Sequence, residues 1–471
     1  MTLACLRDDA LSSTSDGFRL LLSLPWIRSL PLWSLRDLTV TIDGTPASDL
    51  RCVVDGRAVP LADLGDAAGW WFLQERLAVL GPTAVAPGAH EVTVTFRLTI
   101  PYLPGGPDSP LTLPFHDRRT LAAPAASSPA RTEPREAPAA PADRPWRLAA
   151  SAFNWTPDVI RAERSALDIA VGIVESGVAS TIELEPGQLW PSFPDVTAAE
   201  AGALRTRLAE AGGAVSIVGA SLDDWTSPTR RRSEDERLAF LVPQLHAAKQ
   251  AGAEGVRLPV GQAGPTLLGR LLPMLHELGI TLYEEVQGQQ PPTADAYAAA
   301  YQTVADIDDP RLRLLVDISM LMPALPVTYL DRLEAAGIPS ELHARLRDEW
   351  KDPATQGAVV DHLRSGGVAP EIHALYMDMI VRFGRSDAAD LRDVLPLVGA
   401  IHLKFWDLDD SGGRVSAPIR DISAELRRAG FAGTLCSEWG GHEWLDADAA
   451  DMTRRHLALA ATALAAAPVA R

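Results

Sequence analysis

Cysteine is almost missing: Cys5, Cys52 and Cys436 are the whole complement in 471 residues. Three scattered thiols exclude a disulfide framework and a cysteine-based zinc site. No apolar run reaches the ~18 residues that a membrane-spanning helix needs. The N-terminus lacks a charged stretch followed by an apolar core and a cleavage site, so a cytoplasmic location is expected. Basic residues are also scarce, 43 Lys and Arg against 61 Asp and Glu, giving a formal charge of −18. Nucleic acid and anionic membranes both call for basic patches, so neither is expected as a partner. A phosphate loop is missing, since GQAGPTLLG at 261–269 has neither the lysine nor the spacing. No serine nucleophile elbow occurs either.

What the chain has is apolar mass, with 47% hydrophobic residues and a length beyond that of one ordinary domain. Residues 121–147 hold nine Ala and six Pro among 27 positions, a composition that packs no core and reads as an interdomain linker. Before it, LRDLTVTIDG, DLRCVVDG and HEVTVTFRLTIPYL alternate apolar with polar residues, the period of strands. Asp-Gly pairs at 43–44 and 55–56 are hairpin-type turn signals, and prolines at 101, 104, 107, 110 and 114 exclude helix there. Residues 1–120 are therefore expected to form a small β-sandwich, with Trp70, Trp71 and Phe72 as an aromatic cluster for core packing or ligand contact.

After the linker, strand-like and helix-like segments alternate, the signature of βαβ units. Strands are expected at 148–155, 180–186, 214–221 and 255–260, and in the runs ITLYEEV, LRLLVD, AIHLKF and GTLCSE. Helices are expected at 157–177, 197–212, 233–252, 264–278, 293–307 and 417–430. Eight strands in residues 148–471 make a (β/α)8 TIM barrel, so the fold class is multidomain, a β-sandwich followed by an α/β barrel. Between Asp317 and His402 the chain runs 85 residues, against 32 and 36 between the other neighbouring strand ends. The excess, 322–395, is expected to be helical and to cover the pocket or form an oligomer contact.

The last four strand-like runs end at or near Glu285, Asp317, His402 and Glu438. Barrel strands converge at their C-terminal ends, so residues far apart in sequence meet there. Three carboxylates and one imidazole form a hard ligand set suited to Mn²⁺, Mg²⁺, Co²⁺ or Zn²⁺. Taken singly, each could be an ordinary polar residue at a strand end. A metal so held polarises a carbonyl or hydroxyl and eases enolisation.

The segments LYEEVQG, LLVDIS, IHLKFWD and LCSEWGG, with RRAGFAGTL before the last strand, resemble the xylose isomerase-like sugar isomerase/epimerase superfamily over about residues 150–465. DGFRLLLSLPWIRSLPLWSLRDLTVTIDG, GWWF and HEVTVTFRLTIPYLPGG are similar to the small β-sandwich subunit of bacterial C-glycoside deglycosidases. In that family the small subunit partners a metal-dependent barrel subunit. The resemblance thus implies a fusion of the two, a divalent metal with Mn²⁺ first, and cleavage of the sugar–aglycone C–C bond of 3-oxo-glycosides by β-elimination. The alternatives are a sugar isomerase/epimerase and a non-catalytic carbohydrate-binding barrel. The partner is a small carbohydrate or glycoside, and a homo-oligomer is expected.

One position departs from the superfamily. Where Glu-x-His is usual, this chain has Glu285-Val286-Gln287, and Gln287 cannot serve as acid or base. His442, four residues after Glu438, and Lys404, two after His402, are the candidate substitutes. Arg257, Glu183 and Trp155 are candidates for substrate contact; for each the other reading is structural, a barrel salt bridge for the first two and core packing for Trp155. Glu185 shares a face with Glu183, and Glu284 points into the barrel wall. His246, His276, His343 and His456 lie in helical stretches and are expected at the surface.

Overall fold

The computed structural model describes residues 5–123, 146–369 and 372–466. Alternating side chains turn residues 5–123 into antiparallel sheets. One has five strands in the spatial order Leu11–Thr14, Gly17–Leu22, Leu77–Gly81, Arg51–Val54, Arg57–Pro60. The other has four, in the order Ser109–Ala123, Gly88–Gly106, Leu35–Ile42, Thr45–Pro46. Along Gly88–Gly106 the residues Val92, Val94, Phe96 and Leu98 are buried while Glu91, Thr95 and Arg97 are exposed. They share one core with Phe18, Leu20 and Val79 of the five-stranded sheet.

The two Asp-Gly pairs close hairpins as expected, joining Ile42 to Thr45 and Val54 to Arg57. Asp43 and Gly44 have φ of 49° and 77°, and Asp55 and Gly56 have 48° and 75°. Positive φ at both central positions suits the right-handed twist of the flanking strands. Of the proline- and alanine-rich segment, residues 124–145 lie outside the described residues. Leu121–Ala123 extend the long hairpin, and Trp146 is buried, donating its indole N–H to the carbonyl of Phe431 at 2.8 Å.

From Arg147 a closed barrel of eight parallel strands forms in sequence order. The strands are β1 (Arg147–Ser151), β2 (Thr181–Leu184), β3 (Ala214–Gly219), β4 (Gly255–Pro259), β5 (Thr281–Val286), β6 (Leu312–Asp317), β7 (Val398–Phe405) and β8 (Thr434–Trp439). Each lies within a residue or two of its expected position except the first, which stops at Ser151 and turns into a short helix over Ala152–Trp155. Strands buried on both faces, as β2 and β8 are at every residue, need no alternation. The helices begin where caps dictate. Thr197 with Glu200 and Ser233 with Glu236 make reciprocal capping boxes at the starts of Ala198–Glu210 and Glu234–Ala251. Among the described residues no helix is long and apolar enough to cross a membrane.

The sheets and the barrel meet at the βα loops. Arg28 forms a buried ion pair with Asp223 in the loop after β3. Ser29 donates its backbone N–H to Gly187, and Gln188 donates to the carbonyl of Ile27 at 2.6 Å, both in the loop after β2. Trp70 meets Phe193 edge-on at 5.0 Å and stacks on Phe240 at 6.2 Å. The aromatic cluster is thus packing, shared across the two halves.

The excess chain between β6 and β7 carries helices at Val327–Ala335, Ser340–Asp348, Pro353–Arg364 and His373–Val381. Tyr329, Leu346, Trp350, Tyr376 and Phe383 form a hydrophobic cluster of their own, joined by Trp406 and Trp444 from the barrel's loops. Residues 381–386 cross the C-terminal face. Gln289, after β5, donates to the carbonyl of Phe383 at 2.6 Å, and Gly384 donates to Ser319, after β6, at 2.7 Å. Gly288 has φ of +54° and a Cβ there would sit 2.3 Å from the carbonyl oxygen of Val381. Only glycine allows that approach.

One histidine corrects the surface expectation. His246 and His276 are exposed, but His456 is wholly buried, stacked on Phe405 at 3.8 Å with Nδ1 2.8 Å from the Ser437 hydroxyl. Helical spacing could not show which face meets β8. Burial pushes the His456 ring down to about 3. The folded state holds it neutral, whereas the unfolded chain protonates it near the ordinary value of ~6.5. Protonation therefore favours unfolding, and its contribution to stability is lost as pH falls from about 6.5 toward 3. His456→Gln is expected to flatten the decline of the melting temperature between pH 6.5 and 4.5, measured by calorimetry.

Candidate metal centre

Parallel register brings the ligand candidates together. Asp317 on β6 pairs with His402 on β7, and Lys404 on β7 pairs with Glu438 on β8. Glu285 points into the barrel from β5, whereas Glu284, one residue back, faces the wall and accepts the Gly261 N–H at 2.8 Å. Each of Glu285, Asp317, His402 and Glu438 offers one donor atom, and these atoms all lie within 4.8 Å of one another. Donors arranged around one cation at ~2–2.5 Å require separations of that size. All four residues are buried.

The contacts inside the cluster fit a cation better than they fit hydrogen bonds. His402 Nδ1 lies 2.9 Å from Glu438 Oε2 and 3.1 Å from Glu285 Oε1. Even so, Nδ1, Glu438 Oε2 and Asp317 Oδ2 make no aligned hydrogen bond, although Lys404 forms an ion pair with Glu438 Oε2 at 3.2 Å. They converge on one another from three successive strands. Buried polar atoms left in this way are costly unless something compensates them. Five carboxylates (Glu183, Glu185, Glu285, Asp317 and Glu438) crowd the lumen, with the basic side chains of Arg257 and Lys404 among them. A divalent cation narrows that deficit, so the residues present fit one.

The electrostatics carry the same strain. Burial pushes the Asp317 carboxyl up to about 6, with Lys404 pulling the other way. Glu438 is also desolvated, yet Lys404 and His402 hold it well below the usual carboxylate range. Burial alone would lower His402; Glu183 and Glu438 outweigh it and raise the imidazole. Burial likewise raises Glu185 to about 7, against the pull of Arg257.

The remaining candidates divide. Lys404 is buried with Nζ 3.2 Å from Glu438 Oε2 and 5.3 Å from the centre of the Phe153 ring, beside the ligand set. His442 is buried in the turn after β8, tilted on Phe153 at 4.9 Å and edge-on to Trp439 at 5.5 Å. Its Nε2 has no partner, and burial lowers the ring to about 4, so it is neutral at physiological pH. Gln287 is half-buried just past β5, and its backbone N–H donates to the Gln290 side chain. Arg257 forks to Glu183, to Glu185 and, at 2.9 Å, to Glu285. With three carboxylates on one guanidinium, Arg257 takes the salt-bridge role. Glu183 is fully enclosed between Arg257 and His402, so it too is structural in place. Trp155 is 5% exposed and packed in the core.

The sequence reading missed that Arg382, from the excess chain, grips Glu443 beside His442 at 2.7 Å through both carboxylate oxygens. Glu443 next to a candidate histidine was the available signal. Its partner, 61 residues away, was not legible.

No protein-family model matches the chain. Among curated proteins it is similar to the C-glycoside deglycosidase alpha subunit of Arthrobacter globiformis, 26% identical over 284 residues, 59% of this chain and 80% of that one. The 3'-dehydrocarminate deglycosidase alpha subunit of a Microbacterium species is 26% identical over 315 residues, 64% of this chain and 90% of the relative. The beta subunit of the same deglycosidase is 35% identical over 117 residues, 24% of this chain and 88% of the relative. Among solved structures, D-psicose 3-epimerase aligns at 13% identity and a TM-score of 0.40, over 68% of this chain and 99% of that one.

Proposed function

This chain belongs to the family of the C-glycoside and 3'-dehydrocarminate deglycosidases, and we propose that it is a metal-dependent lyase cleaving the sugar–aglycone C–C bond of 3-oxo-C-glycosides. The observation that carries the reading is the convergence of Glu285, Asp317, His402 and Glu438 with three of their donor atoms making no aligned hydrogen bond. Likeness to both an alpha and a beta subunit supports a fusion. In it, residues 1–120 are a β-sandwich standing for the beta subunit, 121–147 the connection, and 148–471 the alpha subunit's barrel. The docking of Arg28 and Ser29 on the βα loops supports that order. Assembly into a homo-oligomer is part of the same proposal.

Glu285, Asp317, His402 and Glu438 would hold the cation, with Mn²⁺ first among Mn²⁺, Mg²⁺, Co²⁺ and Zn²⁺. Such a cation would supply Lewis-acid polarisation of a ketone, which makes the neighbouring C–H more acidic. The protein's own groups then do the rest. His442, neutral and with Nε2 unpartnered, accepts the C2 proton. The C1–aglycone bond breaks as the C1=C2 bond forms, and the departing aglycone carbon takes a proton from Lys404. Phe153 and Trp406 flank Lys404, and Trp439 flanks His442.

Incubation of the metal-loaded protein with a 3-oxo-C-glycoside is expected to release free aglycone, followed by chromatography. A new sugar epimer with the aglycone retained would favour the isomerase/epimerase reading. Tight binding with no turnover would favour a carbohydrate-binding barrel.

A further inference from the structure

Glu183 stands behind His402. Its two carboxylate oxygens lie 3.1 and 3.0 Å from His402 Nε2, while Nδ1, across the ring, faces the oxygens of Glu285 and Glu438 at 3.1 and 2.9 Å. A neutral imidazole carries one proton, and the nitrogen that keeps it cannot bind a metal. A carboxylate on the Nε2 side accepts that proton and leaves the Nδ1 lone pair free. Glu183 is held for this task, since its exposure is 0% and Arg257 donates Nε to it. The same guanidinium reaches Glu285 at 2.9 Å, so one rigid fork spans the carboxylate behind the imidazole and a carboxylate of the ligand set.

We infer that Glu183 is a positioning residue of the metal centre, fixing His402 with its proton on Nε2 and its Nδ1 lone pair aimed at the cation. The inference rests on the metal site proposed above. A competing role comes from geometry on the same side of the ring. Glu183, His402 and Cys436 also bring donor atoms within 4.8 Å of one another. Arg257 weighs against a second ion there, because a divalent cation on Glu183 would face a guanidinium already bonded to that carboxylate. Outer carboxylates that orient a ligating histidine are worth 10–100-fold in metal affinity, which sets the expected effect.

The test uses the full chain as wild type, Glu183→Gln and Glu183→Asp, each stripped with chelator and titrated with Mn²⁺. Dissociation constants, ions bound per chain and the melting temperature of the metal-free protein are read together. Wild type is expected to bind one ion per chain. Glu183→Gln should weaken binding about 10–100-fold at unchanged stoichiometry, and Glu183→Asp, which keeps the charge one methylene further back, should fall between. An unchanged dissociation constant in Glu183→Gln, with only a lower melting temperature, would overturn the inference in favour of a purely structural ion pair. Two ions per wild-type chain, falling to one in Glu183→Gln, would overturn it by making Glu183 a ligand. If Glu183→Gln does not fold, Glu183→Asp decides, and wild-type affinity there overturns the inference. Absence of binding by wild type itself would instead sink the metal-site reading and this inference with it.

Discussion

Asp317→Asn is expected to abolish metal retention and aglycone release while making the metal-free protein more stable. The two effects share one cause. Asp317 Oδ2 is buried without a partner, and burial lifts its carboxyl to about 6. Ionising it without a cation means holding one more negative charge beside Glu285 and Glu438. Because its folded value lies above its unfolded one, the stabilising contribution is complete below pH ~4, where the unfolded chain also binds the proton. It is lost as pH rises through about 6. In chelator, wild type should therefore lose stability over that window and Asp317→Asn should not, with a melting temperature a few degrees higher at pH 8. With metal present the order should reverse. A lost ligand removes charge stabilisation of several kcal/mol, so turnover should fall at least ~10³-fold. Elemental analysis, calorimetry with and without chelator, and aglycone release check the three parts. Full metal content in Asp317→Asn would remove Asp317 from the ligand set.

The second large effect is expected at His442. A positioned base contributes roughly 10²–10⁴-fold in rate, so His442→Gln should depress turnover by about that factor with metal content unchanged. Its position makes the assignment specific: the ring is neutral, its Nε2 is free, and Phe153 and Trp439 fix its plane. Lys404→Met should also be slow, and it should in addition loosen Glu438, the partner of Lys404 at 3.2 Å. Measured together, the two variants separate proton removal from ligand placement, since only Lys404→Met should alter metal affinity. Full activity in both would take these side chains out of the chemistry and leave water as the base.

The ends of the barrel strands were legible in the sequence because chemistry and topology limit them jointly. A carboxylate closing a run that is buried on both faces has few places to go, and parallel strands bring such ends to one rim. Glu285, Asp317, His402 and Glu438 could be picked out for that reason. The sequence by itself therefore determined the eight-strand alternation, the turn signals at Asp43-Gly44 and Asp55-Gly56, and which acidic and imidazole groups close the last four strands.

What it left open depends on neighbours across the fold. Glu183 and His402 are 219 residues apart, and Arg257 reaches Glu183 over 74. Only closure of the barrel shows that Glu183 backs the imidazole and that Arg257 is spent on three carboxylates. His456 looked like a surface histidine because helical spacing gives a face without saying what packs against it; contact with Phe405 and Ser437 decided that it is buried. Trp155 likewise reads equally as a stacking platform or a core residue until the turn after β1 carries it inward. Local sequence sets which groups a strand end or helix face presents, whereas burial and pairing are set by whichever distant element arrives opposite, and that only the tertiary structure decides.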